Sequence, residues 1–422
     1  TRENAVSYLS FWLRSIRLHA PTAPVVMVGT FMAEINDRSQ VKVVDCVVRE
    51  LIRNFPHVAR NDLEEIVFFP VDNQSSQGVR ELKDVLENVV RKDEAVHQLV
   101  SMRWVQFLDE ILSQRKKRNY LTLSSIKSTS TAVGIHDSLE QEQALNLFHE
   151  QGMIIHLKST DVLKQTVVIK PQWLIDSLGK VIRDKSIHRF NKEVFETVGL
   201  GEDLTRLFAD GIASRDLLEY VWDNKQVDFL IDLMSQTMLL SEWNFDDERT
   251  FLIPSLVNDG DTRSLNGRRC IFDFSKSFLP SGVFQRLLCL CVTHSVAYKT
   301  ANACIAEPKL YAHSASIELE PGCIVHLSED TMSQRISVFV ENERSAAKSM
   351  DIIRSMLRKI NADIMGTGLH WNTFLEDSTS GELFAYNEAQ KQQIMPWFVQ
   401  KLKNTANSDK NSINLESFLE SL

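Results

Sequence analysis

The chain has 422 residues, 43% hydrophobic and 24% charged, with a formal net charge of −9. That content supports a folded protein of two to four domains. The acidic balance disfavours a binder that works by neutralising nucleic-acid phosphates, and the longest apolar run, residues 287–292, is far too short to span a bilayer.

The sequence opens at Thr1 with no initiator Met and no signal-peptide pattern, so the expectation is a segment cut from a longer protein. Val6, Leu9, Trp12, Leu13 and Ile16 recur at helical spacing, and Pro21 and Pro24 break that helix. A buried strand over 25–29 follows, then a helix over 41–55 ending before Pro56, a strand over 64–72 and a helix over 77–91. This α-β-α-β-α order predicts the final part of an open, doubly wound sheet whose first strands and first ligand loop are not supplied here. Its first strand runs into Gly29-Thr30 and a short polar loop, the place where such a sheet delivers a ligand-reading loop.

Beyond a charged bridge (91–94), residues 96–118 predict a long amphipathic helix carrying Trp104, Phe107, Leu108, Ile111 and Leu112. Residues 138–152 form a helix with a Ser138–Gln141 capping box and a Gly152 stop. Short strands over 153–157 and 166–170, joined by a polar loop, lead to a helix opened by Pro171. Helix, helix and hairpin read as a winged-helix arrangement, with a looser echo over 214–257. Strands then dominate: 268–274, 303–307, 309–313, 315–321, 323–327 and 335–341, spaced like a meandering antiparallel sheet. Helices over 279–292 and 346–361 accompany them. The tail from about 376 is polar and expected to be weakly ordered, with Trp397 and Phe398 docking.

Chemistry-bearing clusters are sparse. The six cysteines form no C-x-x-C pair, so free, mostly buried thiols in a reducing compartment are expected and no zinc site. His136, His149, His156, His188 and His294 lack metal spacing, and Asp109–Glu110 and Asp246–Asp247 sit in solvated-looking contexts. The run Arg115–Arg118 reads as a cationic helix end more than a nuclear signal.

As a series, these stretches resemble the Roc–COR region of the Roco family, in which a Ras-like Roc domain precedes a dimerising COR domain. The carriers are "LSFWLRSIRLHAPTAPVVMVGTFMAEI", "FFPVDNQSSQGVRELKDVL", "EQALNLFHEQGMIIHL" with "VVIKPQWLIDSLGKVI", and "FLIPSLV" with "FLPSGVFQRLLCLC". The resemblance spans roughly residues 4–360. It implies a truncated C-terminal part of Roc over 1–95, COR-A over 96–249, COR-B over 250–361 and an extension over 362–422, partly disordered. The expected fold class is α/β and α+β multidomain: an incomplete Ras-like sheet, a mainly helical winged-helix-like COR-A, and an α+β COR-B with an antiparallel sheet.

The family's guanine-side loops fall on Gly29, Thr30, Phe31, Ala33 and Glu34, and on Val71, Asp72 and Asn73. Thr30 keeps its place, whereas Phe31 replaces a His and Ala33 replaces the Asp that pairs with the guanine edge. Losing that bidentate contact removes most base selectivity. Glu34 is a substitute only if the loop re-registers. G-x-x-x-x-G-K-[ST] is absent, and the D-x-x-G strings at 176–179 and 363–366 lie on the wrong side of the guanine motif. Without amides cradling phosphates and a hydroxyl on Mg²⁺, phosphoryl transfer lacks its stabilisation. No cofactor is expected in this chain; GTP or GDP with Mg²⁺ belongs to the parent protein if its upstream loops are intact.

The resulting expectation is a cytoplasmic scaffold that homodimerises through COR-B, with an intramolecular Roc–COR contact, protein partners, no nucleic acid and no membrane span. This chain alone is not expected to be catalytic, and the parent protein is a GTPase only if its upstream loops are intact. The alternative is a GTP-hydrolysing switch whose phosphate loop lies upstream. A third reading, an acidic winged-helix adaptor in a nucleic-acid complex, has the charge against it.

Overall fold

The computed structural model describes residues 2–35, 38–53, 55–62, 64–92, 99–182, 190–245, 249–260, 267–300 and 304–398. The chain divides into two units, Thr1–Ser101 and Met102–Leu422.

The first unit alternates as the sequence predicts: α1 (Arg2–His19), β1 (Val28–Gly29), α2 (Arg38–Leu51), β2 (Phe69–Pro70) and α3 (Val79–Arg91). The strands pair in parallel, Val28 beside Phe69 and Gly29 beside Pro70. Both are shorter than expected because two segments share one ladder. Val25 exchanges backbone bonds with 57–59 (Val25 N to His57 O, 2.8 Å), while Met27 and Gly29 accept from Phe69 and Val71 (2.8 Å each). All three partners lie on one side of the strand, and among the described residues no strand pairs with its other side.

The core of this unit is small. Leu13, Val48, Ile52 and Val67 form one cluster, and Val41, Ile66 and Phe68 another. Helix α3 repeats apolar residues at helical spacing yet buries none of them, and Tyr8, Trp12, Val43 and Val44 are exposed. Asp45 ties α2 to the strand: its carboxylate accepts from Val67 N (2.8 Å) and Arg49 Nε (2.5 Å).

The second unit opens with α4 (Met102–Ser113), β3 (Tyr120–Thr122), α5 (Leu123–Ala132) and α6 (Ser138–Glu150). Phe107, Ile111, Ile126, Leu145 and Phe148 form their core. The cap of α6 is Asp137, not Ser138: its carboxylate accepts from Leu139 N and Glu140 N, because an acceptor is needed one residue before the first helical turn. Gly152 does stop this helix, in the left-handed region at φ 68°.

The expected hairpin is reduced. Ile155 makes one antiparallel bridge to Val168, a short helix α7 (Asp161–Lys164) fills the loop, and β4 (Thr166–Val168) pairs instead with β3. Arg115 does more than mark a cationic helix end. Its guanidinium turns inward to the carbonyls of Ile169 and Met153, satisfying oxygens that the irregular hairpin leaves over.

Further along lie α8 (Pro171–Val181), α9 (Lys192–Thr197), α10 (Gly201–Asp210), β5 (Ile212–Ser214), α11 (Arg215–Val221), α12 (Val227–Gln236), β6 (Ser241–Trp243) and β7 (Thr250–Leu252). The three strands form a small antiparallel sheet ordered β5-β7-β6. Its core includes Leu217, Leu230, Met234 and Phe251.

The last part holds β8 (Arg268–Asp273), α13 (Val283–Thr300), β9 (Lys309–Leu310), β10 (Ser314–Glu320), β11 (Cys323–Asp330), β12 (Arg335–Val340), α14 (Ala346–Asp363), β13 (Asn372–Glu376), β14 (Leu383–Ala385) and α15 (Tyr386–Gln392). Seven strands form one antiparallel sheet, ordered β14-β13-β8-β12-β11-β10-β9. Cys304–Glu307, expected as a strand, is irregular.

Helices α13 and α14 pack on this sheet and on each other, with Cys291 Sγ 3.7 Å from Met356 Sδ. Helix α13 also packs on β6, so it is shared between the two sheets. Residues 372–398 are more ordered than the polar-tail expectation: β13 pairs with β8, and Trp397, only 1% exposed, donates its indole N–H to Glu376 O at 2.8 Å. Arg354 lies over the Tyr386 ring, which meets Phe398 edge-on. The expectations for 399–422, His188, Asp246–Asp247 and residues 93–94 of the charged bridge fall outside the described residues.

Candidate functional site

Parallel pairing of β1 and β2 sets their two outgoing loops side by side, so the structure brings together the two stretches that the sequence singled out. Met32 N donates to Val71 O at 3.2 Å, joining the loops directly. Gly29 lets the strand end pack closely on the Phe68 ring, which a Cβ there would meet at 3.0 Å. Gly78, which closes the second loop at φ 75°, could not carry a side chain: its Cβ would fall 2.3 Å from Pro70 O.

Beyond Gly29, Thr30 is exposed. Phe31 sits in the left-handed region (φ 62°, ψ 37°) with 65% of its surface exposed. A bulky residue held there costs on the order of 1 kcal/mol. Residues Met32–Glu34 make a single 3-10 turn, with Ala33 and Glu34 both facing solvent. The Ala33 methyl offers no acceptor to a base edge.

In the second loop, Val71 is buried and Asn73 exposed. Asp72, only 6% exposed, is the one carboxylate turned inward among the described residues of these loops, and its own loop consumes it. It accepts from Ser75 Oγ (2.5 Å), Ser75 N (3.1 Å) and Gln74 N (3.4 Å). Those bonds, the Ser75 hydroxyl first, hold its carboxyl below the ordinary range. It is a turn residue, and among the described residues of these loops no carboxylate is presented to a base edge.

The second unit carries a polar cluster that sequence reading missed. Tyr298 donates to Glu320 Oε1 at 2.9 Å, His294 Nε2 stands 3.6 Å from the same oxygen, and Lys348 reaches Oε2. Burial alone would raise the Glu320 carboxyl, but bonds from His294, Lys348 and Tyr298 outweigh it and bring it to about 2. The spacing His294–Tyr298, one helical turn, was the available signal; its partner on β10 was not legible.

Sheet register separates two faces. Cys270, Val338, Leu327 and Leu375 lie on one face and are essentially dry. The other face shows Arg269, Phe339 and His326 in one row and Ile271, Ser337 and Phe374 in the next. Phe339 and Phe374 are half-buried there, edged by the pairs His326–Glu341 (2.6 Å) and Arg269–Glu376 (3.2 Å).

Nucleophilic or metal chemistry finds little support. Cys270, Cys289, Cys291 and Cys323 are buried, and burial pushes the Cys289 thiol up to about 12. Among the described residues no group of three His, Cys, Asp or Glu could hold a metal, and no helix is long and apolar enough to cross a membrane.

Residues 101–257 match the family model described as C-terminal of Roc, COR-A domain. The chain is 23% identical over 385 residues (84% of its length) to a probable serine/threonine-protein kinase, pats1, of Dictyostelium discoideum. It is 24% identical over 319 residues (68% of its length) to leucine-rich repeat serine/threonine-protein kinase 1 of Mus musculus. It spans only 11% and 15% of those two proteins. A solved structure, Roco2 RocCORdC of Methanosarcina barkeri bound to GDP, is similar at 18% identity and a TM-score of 0.40, covering 59% of this chain and 68% of that one.

Proposed function

We propose, from the premise that the chain is a Roc–COR region of the Roco family, that it serves as a dimerising scaffold in a signalling protein and not as a guanine reader. The observation that carries the second half is the loop pair: Ala33 and Glu34 face solvent, and Asp72 is spent on Ser75 and Gln74. Among the described residues a base edge with two donors finds no prepositioned carboxylate, and a site built to pair such an edge loses selectivity by orders of magnitude without it.

Support for pairing comes from the second face of the large sheet. Half-buried Phe339 and Phe374 beside Ile271 give an apolar centre with charged edges, the composition of a self-complementary patch. The winged-helix description of 96–249, a contact between the Roc part and COR, and a cytoplasmic setting belong to the same proposal; the buried, unpaired thiols agree with a reducing compartment.

Isothermal titration with GDP and Mg²⁺ tests the nucleotide half. No specific binding is expected; micromolar affinity with a preference over ADP would overturn it. A second reading, a GTP-hydrolysing switch in the parent chain, draws on the adjacency of the two loops at the carboxyl ends of parallel strands. Its test is the same titration on a chain extended upstream: tight GDP binding gained by that extension favours the switch.

A further inference from the structure

We draw no further inference here: the strongest candidate, the cavity of about 580 Å³ in the helical part of the second unit, walled by Phe190, Phe195 and Tyr220 and edged by the Lys180–Asp223 ion pair, carries nothing because its wall at Phe190 adjoins residues outside the described region and nothing in the structure shows what occupies it.

Discussion

Helix α3 is amphipathic in sequence, whereas helix α13 is apolar nearly all round through its middle turns, and the two live in different environments. Helix α13 is wrapped by the large sheet, β6 and α14, and Phe284, Leu287, Leu288, Cys291 and Val292 on it are fully buried. Helix α3 buries no residue, although Val79, Leu82, Val85 and Val89 recur on one face. The difference teaches that periodicity announces a face to be covered without supplying the cover. In the first unit, two-residue strands laddered on one side of β1 offer too little sheet to cover three helices.

The largest expected effect follows from that contrast. Amide exchange in α3 should be faster than in α13 by about three orders of magnitude, a local opening cheaper by roughly 4 kcal/mol. Equal, slow exchange in both would break the comparison.

Substitution in the covered unit should be nearly as large. Phe272→Ala, at a fully buried site on β8, is expected to cost about 3–5 kcal/mol in denaturant unfolding. The pH dependence should also reside there. With its folded-state carboxyl near 2 against an ordinary 4.5, Glu320 contributes stability that is complete above about pH 5 and lost as pH falls through its folded value. That contribution is of order 3 kcal/mol. Glu320→Gln should flatten the acid limb of the stability profile; an unchanged slope between pH 5 and 2 would contradict the cluster's role.

Much of this was legible in the sequence, for identifiable reasons. The apolar residues Ile336, Val338 and Val340 of "RISVFV" recur with period two and are the buried positions of β12, and "LLCLCV" lies within α13 as expected. Strand β13 escaped notice because "NTFLE" is weakly alternating and its partner β8 lies about a hundred residues upstream. Local pattern cannot encode such a pairing. At the loops, the lack of a carboxylate at Ala33 could be read directly, whereas the self-capping of Asp72 depends on loop geometry that sequence does not state.

In the thinner unit, single tethers should matter more. Asp45→Ala removes the acceptor of Val67 N and of Arg49 Nε, and about 1–3 kcal/mol of that unit's stability should go with it. A loss under about 0.5 kcal/mol would show the tether to be dispensable. The smallest effect is reserved for Ala33→Asp. Restoring one carboxylate without a phosphate loop should leave GDP binding undetectable by titration, and a measurable gain would show the loop to be a working base reader.

The scaffold claim is tested most directly by light scattering across micromolar concentrations, on the intact chain and on Phe339→Asp with its fold checked by circular dichroism. The expected result is twice the chain's 48.3 kDa, reverting to 48.3 kDa in the folded variant. A mass of 48.3 kDa at every concentration for the intact chain, or a dimer indifferent to Phe339→Asp, would contradict dimerisation through this sheet face.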